Sequence, residues 1–113
     1  MYRSGLTVGL GSDNATLNCN SDSIDEMRRA VLTSRIAGAP HGDLTPSAAA
    51  RMATIDGARA AGLDHLIGSL VPGKRPDVVV RDTSGPHWWP RHDWFDTLAI
   101  AVEAGTATAG NIR

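Results

Sequence analysis

A short, largely apolar run, Leu6-Thr7-Val8-Gly9-Leu10, leads straight into Gly11-Ser12-Asp13 almost at the N-terminus. A run of this kind, with no polar alternation, reads as a strand covered on both faces, the type found in parallel sheets. Such a strand needs neighbours for its backbone N–H and C=O groups and covers for both faces. No other run of the same type lies nearby, so the sequence predicts a parallel strand whose partners are missing upstream.

The residues that follow sort by local signals. Gly11 to Asp22 is polar and turn-forming. Ser23-Ile24-Asp25-Glu26 has the capping-box pattern, with Ser23 as N-cap and Glu26 three residues on. Ile24, Met27 and Val31 then share a helical face, with Leu32 and Ile36 beside it, and Gly38 and Pro40 stop the helix. A second helix is expected from Thr45, with Pro46 at its first position, through an alanine-rich stretch to about Ala60, ended by Gly62. Gly57 is the weak point inside it. Ile67–Val71 and Asp77–Arg81 read as strands around a Pro72-Gly73 type II turn. Next comes an aromatic, irregular segment from Gly85 to Phe95, then a last helix from about Asp96 to Glu103. The tail from Gly105 to Arg113 carries no core signal.

Size and charge exclude several classes. At 113 residues the chain is one domain at most, well short of the roughly 250 residues of an enzyme barrel. Lys and Arg number 11 against 12 Asp and Glu, a balance that offers no footprint for nucleic acid or an anionic membrane. No run approaches the roughly 20 apolar residues that span a bilayer, and the N-terminus does not open a secretory signal. Cys19 is the only cysteine, which fits a reducing, cytoplasmic setting.

Taken in order, these segments resemble the C-terminal part of the amidohydrolase superfamily, in its cytosine-deaminase and chlorohydrolase-like branch. Thr7 to Asn14 looks like the last barrel strand, which closes in Gly-Ser/Thr-Asp. Asp25-Glu26-Met27-Arg28 resembles the start of the helix after it, and Leu44-Thr45-Pro46 with Met52 to Leu63 the next helix. Ile67 to Val80 is similar to the family's return into its small β-sandwich, and Pro86-His87 with Pro90 to Asp93 to a segment of the deaminase-like branch. The resemblance implies an α/β fold: the C-terminal end of a TIM-barrel metal-dependent hydrolase, comprising the last β/α unit plus a helix, with part of the small β-sandwich. It divides the chain into a truncated barrel end (1–66), sandwich strands (67–82) and an aromatic loop, short helix and tail (83–113). The tail departs from the family's closing strands, and the chain reads as truncated at both ends.

By the same resemblance Asp13 is both metal partner and general base. The metal, zinc or iron, brings its bound water near neutrality, and the carboxylate takes the proton and passes it to a leaving amine. Spacing alone favours a plain loop aspartate, because Ser-Asp-Asn is a common turn sequence. The family's other metal ligands, a His-x-His pair and later histidines, have no match among His41, His65, His87 and His92. Other candidates read more simply as structure. Asn14, Asn18 and Asn20 are loop residues before they are pocket residues. His87, His92 and Asp93 lack the ligand count for a second metal site. Trp88, Trp89, Trp94 and Phe95 are packing before they are a stacking platform. Cys19 is a bland thiol, and Lys74-Arg75 a solvated turn.

The implied parent activity is hydrolysis of a non-peptide C–N bond, with deamination of a small heterocyclic amine foremost. A cyclic-amide hydrolase, whose bridging lysine would lie elsewhere, remains a rival branch. The 113 residues alone are expected to be inactive, a remnant or accessory piece without the histidine ligands. Homo-oligomerisation or association through the exposed barrel edge is the expected means of covering the unpaired strand.

Overall fold

In the computed structural model, which describes residues 4–13, 21–38, 44–75, 77–85, 88, 93–101 and 109–112, helix α1 runs over Ser23–Ile36. Its cap is Asp22 rather than the expected Ser23. The Asp22 carboxylate accepts from the Ile24 N–H at 2.9 Å, and its carbonyl accepts from the Glu26 N–H at 3.1 Å. A carboxylate is a stronger acceptor than a hydroxyl and meets the positive end of the helix dipole, so the start moves back by one residue. Arg29 pairs with Asp25 one turn away at 2.8 Å. Gly38, at φ +75°, ends the helix as expected; Pro40 lies outside the described residues. Ile24, Met27 and Val31 are buried, whereas Leu32 and Ile36, at the side of that face, are exposed.

The second expected helix is two. Helix α2 (Pro46–Met52) starts as the sequence predicts, with Thr45 Oγ1 accepting from the Ala48 N–H at 3.1 Å and Pro46 at the first position. It stops at Met52, and helix α3 (Ile55–Ala60) begins three residues later. Thr54 sits between them at φ −130° and ψ −104°, with its hydroxyl donated back to the Ala50 carbonyl at 2.7 Å. The Met52 carbonyl accepts from the Leu10 N–H at 3.0 Å. In an unbroken helix that carbonyl would serve the amide four residues on. Arg51 and Arg59 both reach Asp56, at 3.0 and 2.8 Å, and brace the corner from outside. Ion pairs this exposed contribute up to about 1 kcal/mol each.

Helix α3 closes in a Schellman motif. The Leu63 N–H bonds the Ala58 carbonyl at 2.8 Å and the Gly62 N–H bonds Arg59 at 3.0 Å, with Gly62 at φ +71° where a side chain would strain the turn. The Pro72-Gly73 turn also forms as expected: Lys74 N–H bonds the Val71 carbonyl at 3.2 Å and Gly73 lies at φ +93°.

Neither segment predicted as a strand before residue 77 joins a ladder among the described residues. Residues 6–10 pair with no strand among the described residues, and Leu10 bonds the end of α2. Ile67–Val71 belongs to a hydrogen-bonded loop, tied by Ile67 N–H to the Leu63 carbonyl at 3.0 Å and by Arg75 N–H to Leu66 at 2.8 Å. Strand β1 (Val78–Arg81) does form, and its partner is the tail. Strand β2 (Ala109–Ile112) runs antiparallel to it, Val78 opposite Ile112 and Arg81 opposite Ala109. Pairing supplies the order that the tail's composition does not.

The last helix begins earlier than expected. Helix α4 (Trp94–Asp96) is a single turn capped by Asp93, and it continues as a π-helical turn over Thr97–Ala101. Thr97 is buried and donates its hydroxyl to the Asp93 carbonyl at 2.7 Å. The core lies where α1, α2 and this turn meet: Ile24, Met27, Val31, Ala49 and Ala99, with Leu10, Leu44, Ala50, Ala53 and Leu98 against it. The described residues thus give helices around one small core plus a two-stranded sheet; they do not themselves make a barrel.

Much apolar surface stays open. Leu70, Val71, Val79 and Val80 are all more than half exposed. Among the described residues no helix is long and apolar enough to cross a membrane.

Candidate functional site

Asp13 ends the irregular segment that starts at Leu6. It is exposed and adopts φ +55°, the only described residue other than glycine with positive φ. Aspartate enters the left-handed region more readily than most residues, but the conformation costs energy and marks a place where the fold sets the direction of a side chain. What holds the segment is its backbone. Leu10 is tied to the end of α2, and Gly9 lies against α3, so the carboxylate projects three residues beyond a fixed point.

A cavity of about 820 Å³ borders this segment at Gly9, Leu10 and Gly11. Leu10, Gly57, Ala58, Ile67, Leu70 and Val79 are among the residues that line it, and Asp13 is not. Its walls are mainly apolar.

The other sequence candidates separate cleanly. Asp93 is a helix cap: its Oδ1 accepts from the Phe95 and Asp96 N–H groups at 2.9 and 3.2 Å. His87, His92, Trp89, Asn14, Asn18, Asn20 and Cys19 lie outside the described residues. Trp88 is buried at 2 % exposure and serves packing, while Trp94 and Phe95 are about half exposed. The solvated turn expected at Lys74-Arg75 needs correction. Lys74 is half-buried, and its ammonium donates to the carbonyls of Asp64 and Ile67, fixing the loop after α3. Sequence reading missed the roles of Gly9, Gly57 and the Met52 carbonyl; the one available signal was a glycine inside an otherwise good helix.

Among the described residues no group of three or more His, Cys, Asp or Glu side chains could hold a metal. One exposed carboxylate does not meet the three or four ligands such an ion requires. The described residues therefore do not fit a resident metal by themselves.

The deaminase-like pattern of Gly-Ser-Asp, helix and return segment has a direct counterpart in known proteins. The chain belongs to the amidohydrolase family, whose sequence model matches residues 1–112. It is 39% identical over 100 residues to an S-triazine hydrolase of Gordonia rubripertincta, covering 88% of this chain and 21% of that one. It is 38% identical over 104 residues to a 5-methylthioadenosine/S-adenosylhomocysteine deaminase of Pelotomaculum thermopropionicum, covering 92% of this chain and 24% of that one. The structure resembles a zinc-bound adenosine deaminase of Xanthomonas campestris with a TM-score of 0.86 and 28% identity, over 96% of this chain and 25% of the other. The chain spans about a quarter of the length of these relatives.

Proposed function

We propose that this chain supplies one reacting carboxylate, Asp13, to the active site of an amidohydrolase that deaminates a small heterocyclic amine. The observation that carries the reading is Asp13 itself: an exposed aspartate in the left-handed region, at the end of a segment anchored to α2, in a chain of this family. A carboxylate so placed can accept a proton from attacking water and hand it to the departing amine, provided substrate lies within hydrogen-bond reach. Zinc is the metal expected for the complete site, since the Xanthomonas campestris relative binds it. Purine and triazine amines are the favoured substrates over cyclic amides, because relatives named for deamination and for triazine hydrolysis both match over most of the chain. The 113 residues alone are inactive in this reading, in which further metal ligands come from elsewhere, the described residues holding no group of three.

The test is a graft. Residues 1–112 replace the matching quarter of the Xanthomonas campestris adenosine deaminase, and ammonia release is measured with adenosine and with an aminated triazine. Turnover of either is expected. A graft that folds and holds zinc yet releases ammonia from neither would overturn the reading.

A further inference from the structure

We infer that Gly9 and Gly57 are positioning residues for Asp13, and that the break between α2 and α3 exists to dock the segment that carries it. The inference rests on the reading of Asp13 as the reacting carboxylate. The geometry is one of backbone against backbone. A Cβ built on Gly9 would lie 3.1 Å from the Gly57 Cα, and one on Gly57 would lie 2.8 Å from the Met52 carbonyl oxygen. That oxygen is the acceptor for Leu10 N–H, at 3.0 Å. Any side chain at residue 57 therefore pushes on the atom that holds Leu10, and any side chain at residue 9 lifts the segment from α3.

The helix break completes the arrangement. Because α2 stops at Met52 and Thr54 turns the chain, the Met52 carbonyl is turned to the Leu10 amide instead of to the next helical turn. Asp13 follows three residues later, short enough that a shift of the anchor carries over to the carboxylate. Gly68 approaches the same helix at other residues, where a Cβ would meet that of Ala58 at 2.8 Å. Helix α3 thus meets both the Asp13 segment and the loop after it, and the glycines set the spacing.

The experiment uses the 113-residue chain, with NMR readouts that need no activity. Gly57→Ala and Gly9→Ala are made singly and together. Residue 9 is exposed and outside every helix, so Gly9→Ala leaves helix formation intact even where Gly57→Ala disturbs it. Amide exchange at Leu10 is expected to rise about tenfold in each single variant, with the Asp13 carboxyl carbon resonance displaced and the Val31 amide unchanged. The double variant is expected to match the stronger single one, because both act on one contact. Leu10 exchange left at the parent rate in Gly9→Ala would overturn the inference. So would acceleration shared equally by Val31, an unmoved Asp13 resonance, or additive effects in the double variant. Since none of these readouts involves turnover, they separate this inference from the proposed deamination.

Discussion

Asn in place of Asp13, made in the grafted adenosine deaminase, is expected to lower kcat by about 10³-fold and leave KM for adenosine nearly unchanged. Asparagine keeps the size and tolerates positive φ almost as well as aspartate, so the backbone at φ +55° should persist. It loses the negative charge and the capacity to accept and release a proton. Removing a positioned base costs about 10²- to 10⁴-fold in rate, and the effect falls on the step rather than on substrate capture. A kcat within tenfold of the graft would mean that Asp13 is the plain loop aspartate its spacing also allows.

Aspartate in place of Val31 is expected to remove most of the chain's cooperative unfolding transition in urea. Val31 has no exposed surface and packs with Ile24, Met27, Ala49 and Ala99 at the junction of α1, α2 and the π-helical turn. A carboxylate there has no partner among those apolar side chains. It must either stay charged in a poor dielectric, become protonated, or open the core to water. The expected loss is about 4 kcal/mol, against a typical total of about 5–15 kcal/mol, and nearer the lower end for a chain with this much open surface. Val31→Ala, which only empties space, should cost about 2 kcal/mol. Val31→Asp within about 1 kcal/mol of the parent would show that this cluster is not the stabilising core.

What the sequence made legible was local. Thr45-Pro46 at the start of α2, Gly62 at the end of α3 and Pro72-Gly73 in its turn act within a few residues, and each is found where predicted. The helix break was hidden because the partner of the carbonyl it frees is distant: Leu10, more than forty residues earlier, bonds the Met52 carbonyl. The tail gave no sign of β2, because a strand of small residues owes its order to the partner across the ladder. Leu6–Leu10 has the composition of a buried strand, and a ladder requires a neighbour that the described residues do not offer. At the proposed site, Asp13 rests on family resemblance alone, whereas the anchoring of its segment is a matter of backbone atoms and glycines, which leave no chemical signature in a sequence. Lys74 shows the same limit: the carbonyls that hold its ammonium are invisible until the loop is folded.

Metal content decides whether this chain brings a whole site or one part of it. The purified 113-residue chain is loaded with equimolar zinc, passed through gel filtration and assayed for zinc per chain. With a single candidate carboxylate and no cluster of three ligands among the described residues, it should emerge with far less than stoichiometric zinc. One tightly retained zinc per chain would contradict the division of the site proposed for this protein.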